Sequence, residues 1–116
     1  MDRDPAGVDH LVTAVQRMWD VGMRMLRVPY QGHVAEALEA HDRIREAARA
    51  CDEGLATSEI TGERLHLPEL LRLRGRYAAS LGEEWQPWLE RAIAVADEQG
   101  TTRLAALATR ELTDLS

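Results

Sequence analysis

Three glycines divide this chain at a nearly constant step. Gly22, Gly62 and Gly100 stand 40 and 38 residues apart, inside "MWDVGMRMLRVPY", "TSEITGERLHLPEL" and "VADEQGTTRLAALA". Pro29 and Pro68 follow their glycines by seven and six residues. Glycine accepts the left-handed conformation that ends a helix, and proline is tolerated in a helix's first turn. A stop followed by a start, recurring with room for two helices in between, is the pattern of a helical repeat array.

The helices follow from composition and spacing. Alanine, leucine, arginine and glutamate dominate, and apolar–polar alternation is lacking, so strands are not expected. Six helices are predicted, at about 5–27, 29–40, 42–60, 67–81, 84–99 and 101–115, in a single domain covering 1–116. The first opens with Asp4 as N-cap and Pro5 as first helical residue. Its stripe is Val8, Leu11, Val12, Val15, Met18, Trp19 and Met23. The second is expected to start at Pro29, and Asp42 is read as the N-cap of the third. The third helix carries Ile44, Ala47, Ala48, Cys51 and Leu55, small side chains that invite a close neighbour. Gly82 and Gly100 stop the fourth and fifth helices, and Pro87 falls in the first turn of the fifth.

Gly75 interrupts the best helix of the chain, at a cost of about 1 kcal/mol relative to alanine. In a hairpin of packed helices a side chain at the crossing point would hold the pair apart. Glycine removes that obstacle, so the fourth and fifth helices are expected to cross there.

At these residues the chain resembles a known family. "LPELLRLRGRYAASLG" followed by "WLERAIAVADEQG" looks like a tetratricopeptide-type repeat, with Leu73, Arg74, Gly75, Gly82 and Ala92 matching the pattern. The longer run through "RLAALATRELTDL", with "LRVPYQGHVAEAL" as the preceding repeat, is similar to the C-terminal tails of large bacterial signalling ATPases. These are LuxR-type and adenylate-cyclase-linked regulators ending in tetratricopeptide or MalT-like repeats. The resemblance implies an all-α fold of antiparallel helix hairpins stacked as a short right-handed array. It also implies a protein-interaction or sensor role in a regulatory system, with no catalytic residues. One departure is visible: the turn "EEWQPW" after Gly82 is about two residues shorter than in that family.

Charge and residue usage narrow the function further. The net charge of -6 argues against direct nucleic-acid binding, which requires a basic face. No apolar run is long enough to span a membrane and no leader is recognised, so a cytoplasmic location is expected. The single cysteine, Cys51, excludes an intramolecular disulfide and reads as a small core residue. All 14 basic residues are arginine, as codon bias would produce. His33, Glu36, His41 and Asp42 are the best metal candidates, yet they lack a matching second cluster, so no metal and no cofactor are expected. Serines lie outside any nucleophile setting and the glycines are isolated, so the chain is read as non-enzymatic.

In paired-helix arrays the first helices of successive hairpins line a concave groove. Here these are the second, fourth and sixth helices, which place His33, Glu36, Arg72, Arg76, Arg103 and Arg110 on one candidate surface. Arginine forks suit carboxylates, so the expected partner is an acidic protein or peptide. The alternative is a helical regulatory domain that binds a small molecule between hairpins. Because "MDRDPAGVDHLVTAVQ" reads as the second helix of a repeat lacking its first, self-association through that open end is also expected.

Overall fold

The computed structural model describes residues 5–20 and 24–116, and for residues 5, 6, 15, 18–20 and 24–29 it describes the backbone alone. The fold is all-α. Its helices are α1 (Pro5–Asp20), α2 (Arg24–Ala40), α3 (Ile44–Thr61), α4 (Leu67–Ser80), α5 (Gln86–Gln99) and α6 (Thr102–Leu115). Asp4, Gly22 and Met23, and the side chains of Val15, Met18, Trp19 and Met25, lie outside the described residues.

The ends of α2, α3, α4 and α5 obey one rule. The chain turns left-handed at Asp42 (φ 61°), Gly62 (75°), Gly82 (73°) and Gly100 (72°), which are 20, 20 and 18 residues apart by subtraction of these positions. At Gly82 the amide of Glu83 donates to Ala78 O at 2.8 Å and that of Gly82 to Ala79 O at 3.2 Å. Thr101 and Gly100 repeat the pair on Ala96 O and Asp97 O, and Arg43 and Asp42 on Leu38 O and Glu39 O. These paired bonds satisfy carbonyls that a helix end leaves free. Asp42 is thus not the N-cap of α3. It ends α2 and supplies the member missing from the glycine series, while Arg43 precedes α3 without a side-chain cap.

Two boundaries also differ from expectation. The described part of α1 ends at Asp20, and α2 begins at Arg24 rather than Pro29. Proline in the second turn removes one backbone donor, the one aimed at the carbonyl of residue 25, and the helix runs through it. Pro68 and Pro87 do sit in the first turns of α4 and α5.

Each helix packs on its chain neighbour, and in addition α2 touches α4 and α4 touches α6. Among the described residues no such contact joins α1 to α3 or α3 to α5. The even-numbered helices therefore lie side by side as one layer, with the odd-numbered helices spread behind. The core comes in two parts that meet at α4. Leu73 and Tyr77 of α4 join Val34, Ala35 and Leu38 of α2 and Ala47, Ala48 and Cys51 of α3. Leu67 and Leu71 of α4 join Ala92 and Val95 of α5 and Ala108 of α6. Each fully buried leucine stabilises the fold by about 2–3 kcal/mol. Burial, aided by the charge of Asp52, pushes the Cys51 thiol up to about 12, which makes it an inert part of this packing.

Glycine decides two crossings. A Cβ on Gly75 would stand 3.0 Å from Leu89 Cγ and 3.1 Å from Trp88 Cβ, so α5 lies directly on α4 there. A Cβ on Gly54 would meet Leu70 Cδ1 at 2.9 Å and Gln31 Cβ at 3.1 Å. This second crossing, where α2 and α4 both close on α3, went unread in the sequence.

Gly75→Leu is expected to destabilise the fold by about 3 kcal/mol through overpacking, read as a shift of the urea midpoint. An unchanged midpoint would show that α4 and α5 do not cross at this residue. At Asp42, where the left-handed backbone disfavours any side chain, Asp42→Gly should raise stability by about 0.5–1 kcal/mol. A lower melting temperature for this variant would contradict the turn described.

Candidate functional site

The side-by-side run of α2, α4 and α6 carries the residues singled out in the sequence, and the structure sorts them into two groups. Arg72 and Arg76 lie one turn apart on α4, in the middle of the layer. Arg72 Nε donates to Glu69 Oε2 on the same helix at 3.0 Å, and its Nη1 pairs with Glu111 of α6. Arg76 Nη2 pairs with Glu39 of α2, and its Nη1 stands 4.0 Å from Glu111. The Tyr77 hydroxyl donates to the same Glu39 oxygen at 3.2 Å. One helix thus holds both of its neighbours by charge.

Burial strengthens these pairs. The Arg72 side chain is only 11% exposed and Glu111 21%, so water screens them poorly. Desolvation pulls the Arg72 pKa down, but the hydrogen bonds and charges of Glu69 and Glu111 outweigh it and the net shift is upward. Arg76 behaves alike: burial opposes its charge, while Glu39 and Tyr77 restore it. Burial together with the charge of Glu39 raises the Tyr77 phenol, so it stays a hydrogen-bond donor. Arg76 Nε and Glu111 Oε2 are buried without a partner among the described residues, which offsets part of the gain.

The remaining candidates sit at the edges. His33 and Glu36 are exposed on α2, with His33 edge-on to Tyr30 at a centroid separation of 6.5 Å. Arg103 and Arg110 are exposed on α6 and make no ion pair among the described residues. The structure therefore does not assemble a row of free arginines. It commits Arg72 and Arg76 to the chain's own carboxylates and leaves Arg103 and Arg110 open. Glu39 and Glu111 are the residues that sequence reasoning missed. Glu111 follows Arg110 directly, and Glu39 stands three after Glu36, which puts it on the same helix face.

Elsewhere, Arg74 is tied behind the layer to Asp52 at 2.8 Å and Glu83 at 3.3 Å, over the ring of Trp88. Trp85 and Trp88 are both half-buried. Among the described residues no three His, Cys, Asp or Glu side chains are placed to hold a metal ion, and no helix is long and apolar enough to cross a membrane. Clefts indent the surface among the described residues. One of about 200 Å³ lies where α1, α2 and α3 meet, and one of about 210 Å³ lies at the α3–α4 corner, beside Leu55, Leu67 and Arg91.

Comparison of the chain with protein-family models, with curated proteins and with solved structures finds no match.

Removing one member of a poorly solvated ion pair strands the other. Arg72→Ala should therefore cost about 2 kcal/mol of stability. A double-mutant cycle with Glu111→Ala should show a coupling of about 1 kcal/mol or more. Strict additivity of the two variants in urea unfolding would mean that this pair does not hold α6 to α4.

Proposed function

We propose that this chain is a non-enzymatic protein-interaction module of a bacterial regulatory system. It would act as the tetratricopeptide-like regions of transcriptional regulators do, with an acidic protein or peptide as partner. The observation that carries this reading is the layer formed by α2, α4 and α6. Its centre is locked by its own ion pairs, so the layer is preorganised and loses little freedom on binding.

The uncommitted cations Arg103 and Arg110 at the α6 edge supply the charge that would select carboxylates. His33 and Glu36 mark the opposite edge and offer polar contacts there. Arg72 and Arg76 hold the layer together and take no direct part in recognition.

The test compares what intact chains capture from a bacterial lysate. Wild type and Arg45→Glu, a reversal at an exposed arginine on α3, should retain the same protein. Arg103→Glu combined with Arg110→Glu should weaken its binding at least tenfold without changing the melting temperature. Equal retention by all three chains would overturn the reading.

A further inference from the structure

We propose that the cleft at the α3–α4 corner binds an ω-amino carboxylate, a short aliphatic chain with an ammonium at one end and a carboxylate at the other. The α6 edge takes no part in it, so the proposal is independent of the partner-binding reading.

The cleft is a gap between two helices that share a neighbour. Among the described residues α3 and α5 each pack on α4 without packing on each other. Leu55, Ser58 and Glu59 of α3 form one wall and Arg91 of α5 the other, while Gly62, Arg64 and Leu67 close the cleft between them. Leu67 is buried at the start of α4, and half-buried Leu55 packs against the cluster to which it belongs. These leucines give the middle of the cleft an apolar surface, which gains by covering methylene groups. The volume is about 210 Å³. A cavity of about 150 Å³ holds benzene, so about eight non-hydrogen atoms fit here in proportion.

The charges decide the two ends. Glu59, Arg64 and Arg91 are the charged side chains of the lining. Arg64 Nη2 already donates to Glu98 Oε2 at 3.0 Å. The Glu63 carboxylate faces the start of α4, where it accepts from the amide of His66 at 3.1 Å, and does not line the cleft. Glu59 and Arg91 are exposed, make no ion pair among the described residues, and stand too far apart to pair with each other. One anion and one cation therefore face each other from opposite walls. A simple carboxylate would be repelled by Glu59 and a simple amine by Arg91. An α-amino acid carries both charges on one carbon and reaches one wall only. A chain that holds its charges apart answers both walls and lays its methylenes over Leu55 and Leu67.

Ser58 adds to the anionic wall. It is 4% exposed and its hydroxyl donates to the Glu63 carbonyl, so its oxygen keeps lone pairs for an ammonium. On the other wall Arg91 presents a planar fork that matches a carboxylate.

The probes are δ-aminovalerate, its isomer norvaline, valerate and pentylamine. Each is titrated into the intact chain and followed by the backbone amide resonances of Glu59, Gly62 and Arg91. Saturable shifts are expected with δ-aminovalerate, at an affinity about fivefold above that of each other probe. Glu59→Gln should erase the preference over valerate, and Arg91→Gln the preference over pentylamine. Both positions are exposed, so both variants should keep the wild-type melting temperature. No saturation by δ-aminovalerate at about 10 mM, equal binding of norvaline, or a preference that survives either variant would each overturn the proposal.

Discussion

Close approach at α4 is the constraint on which the other features rest. This helix is packed on both sides, and its neighbours come near enough only because Gly54 and Gly75 lack side chains where they cross. With a Cβ at either point, Leu70 or Leu89 would have to move. Both leucines are among the most completely buried side chains of the chain. The entropic cost of glycine inside a helix is thereby offset by dispersion contacts, which fall off steeply with even small gaps. The small residues Ala47, Ala48 and Cys51 extend the same tight packing along α3.

The ion pairs depend on that approach. Arginine reaches far, but two arginines on one helix can hold carboxylates on two others only when all three helices lie in one layer. Glu39, Glu69 and Glu111 supply three negative charges against the two positive charges of Arg72 and Arg76. The arrangement pairs both arginines at the centre of the layer and leaves one net negative charge there, with exposed cations at its rim. Any recognition by this face then depends on exposed groups that need not be desolvated from an internal partner first.

Much of the architecture was legible because it is written in local backbone preference. Gly62, Gly82 and Gly100 take the left-handed turn that only glycine adopts without strain, and the spacing of these positions carries the helix count with it. Gly75 could be read as a crossing since nothing else explains a glycine amid good helix formers. Asp42 and Pro29 were misread for a common reason. Each residue is compatible with two local roles, and the choice between them belongs to the packing of α2 rather than to the residue. Gly54 escaped notice because its neighbours, Leu70 of α4 and Gln31 of α2, come from distant parts of the chain.

The candidate site was legible only in outline. Helical spacing placed Arg72 and Arg76 on one face, but their partners Glu111 and Glu39 are 39 and 37 residues away. No periodicity shorter than the repeat itself relates such positions. By itself, the sequence determined the helix ends at Gly62, Gly82 and Gly100 and the crossing at Gly75, since these follow from what glycine's backbone allows within a turn or two. Only the tertiary structure decided which arginines are neutralised, which stay free, and where Glu59 and Arg91 share a cleft. Those outcomes depend on distances between helices, and such distances exist only once the chain has packed.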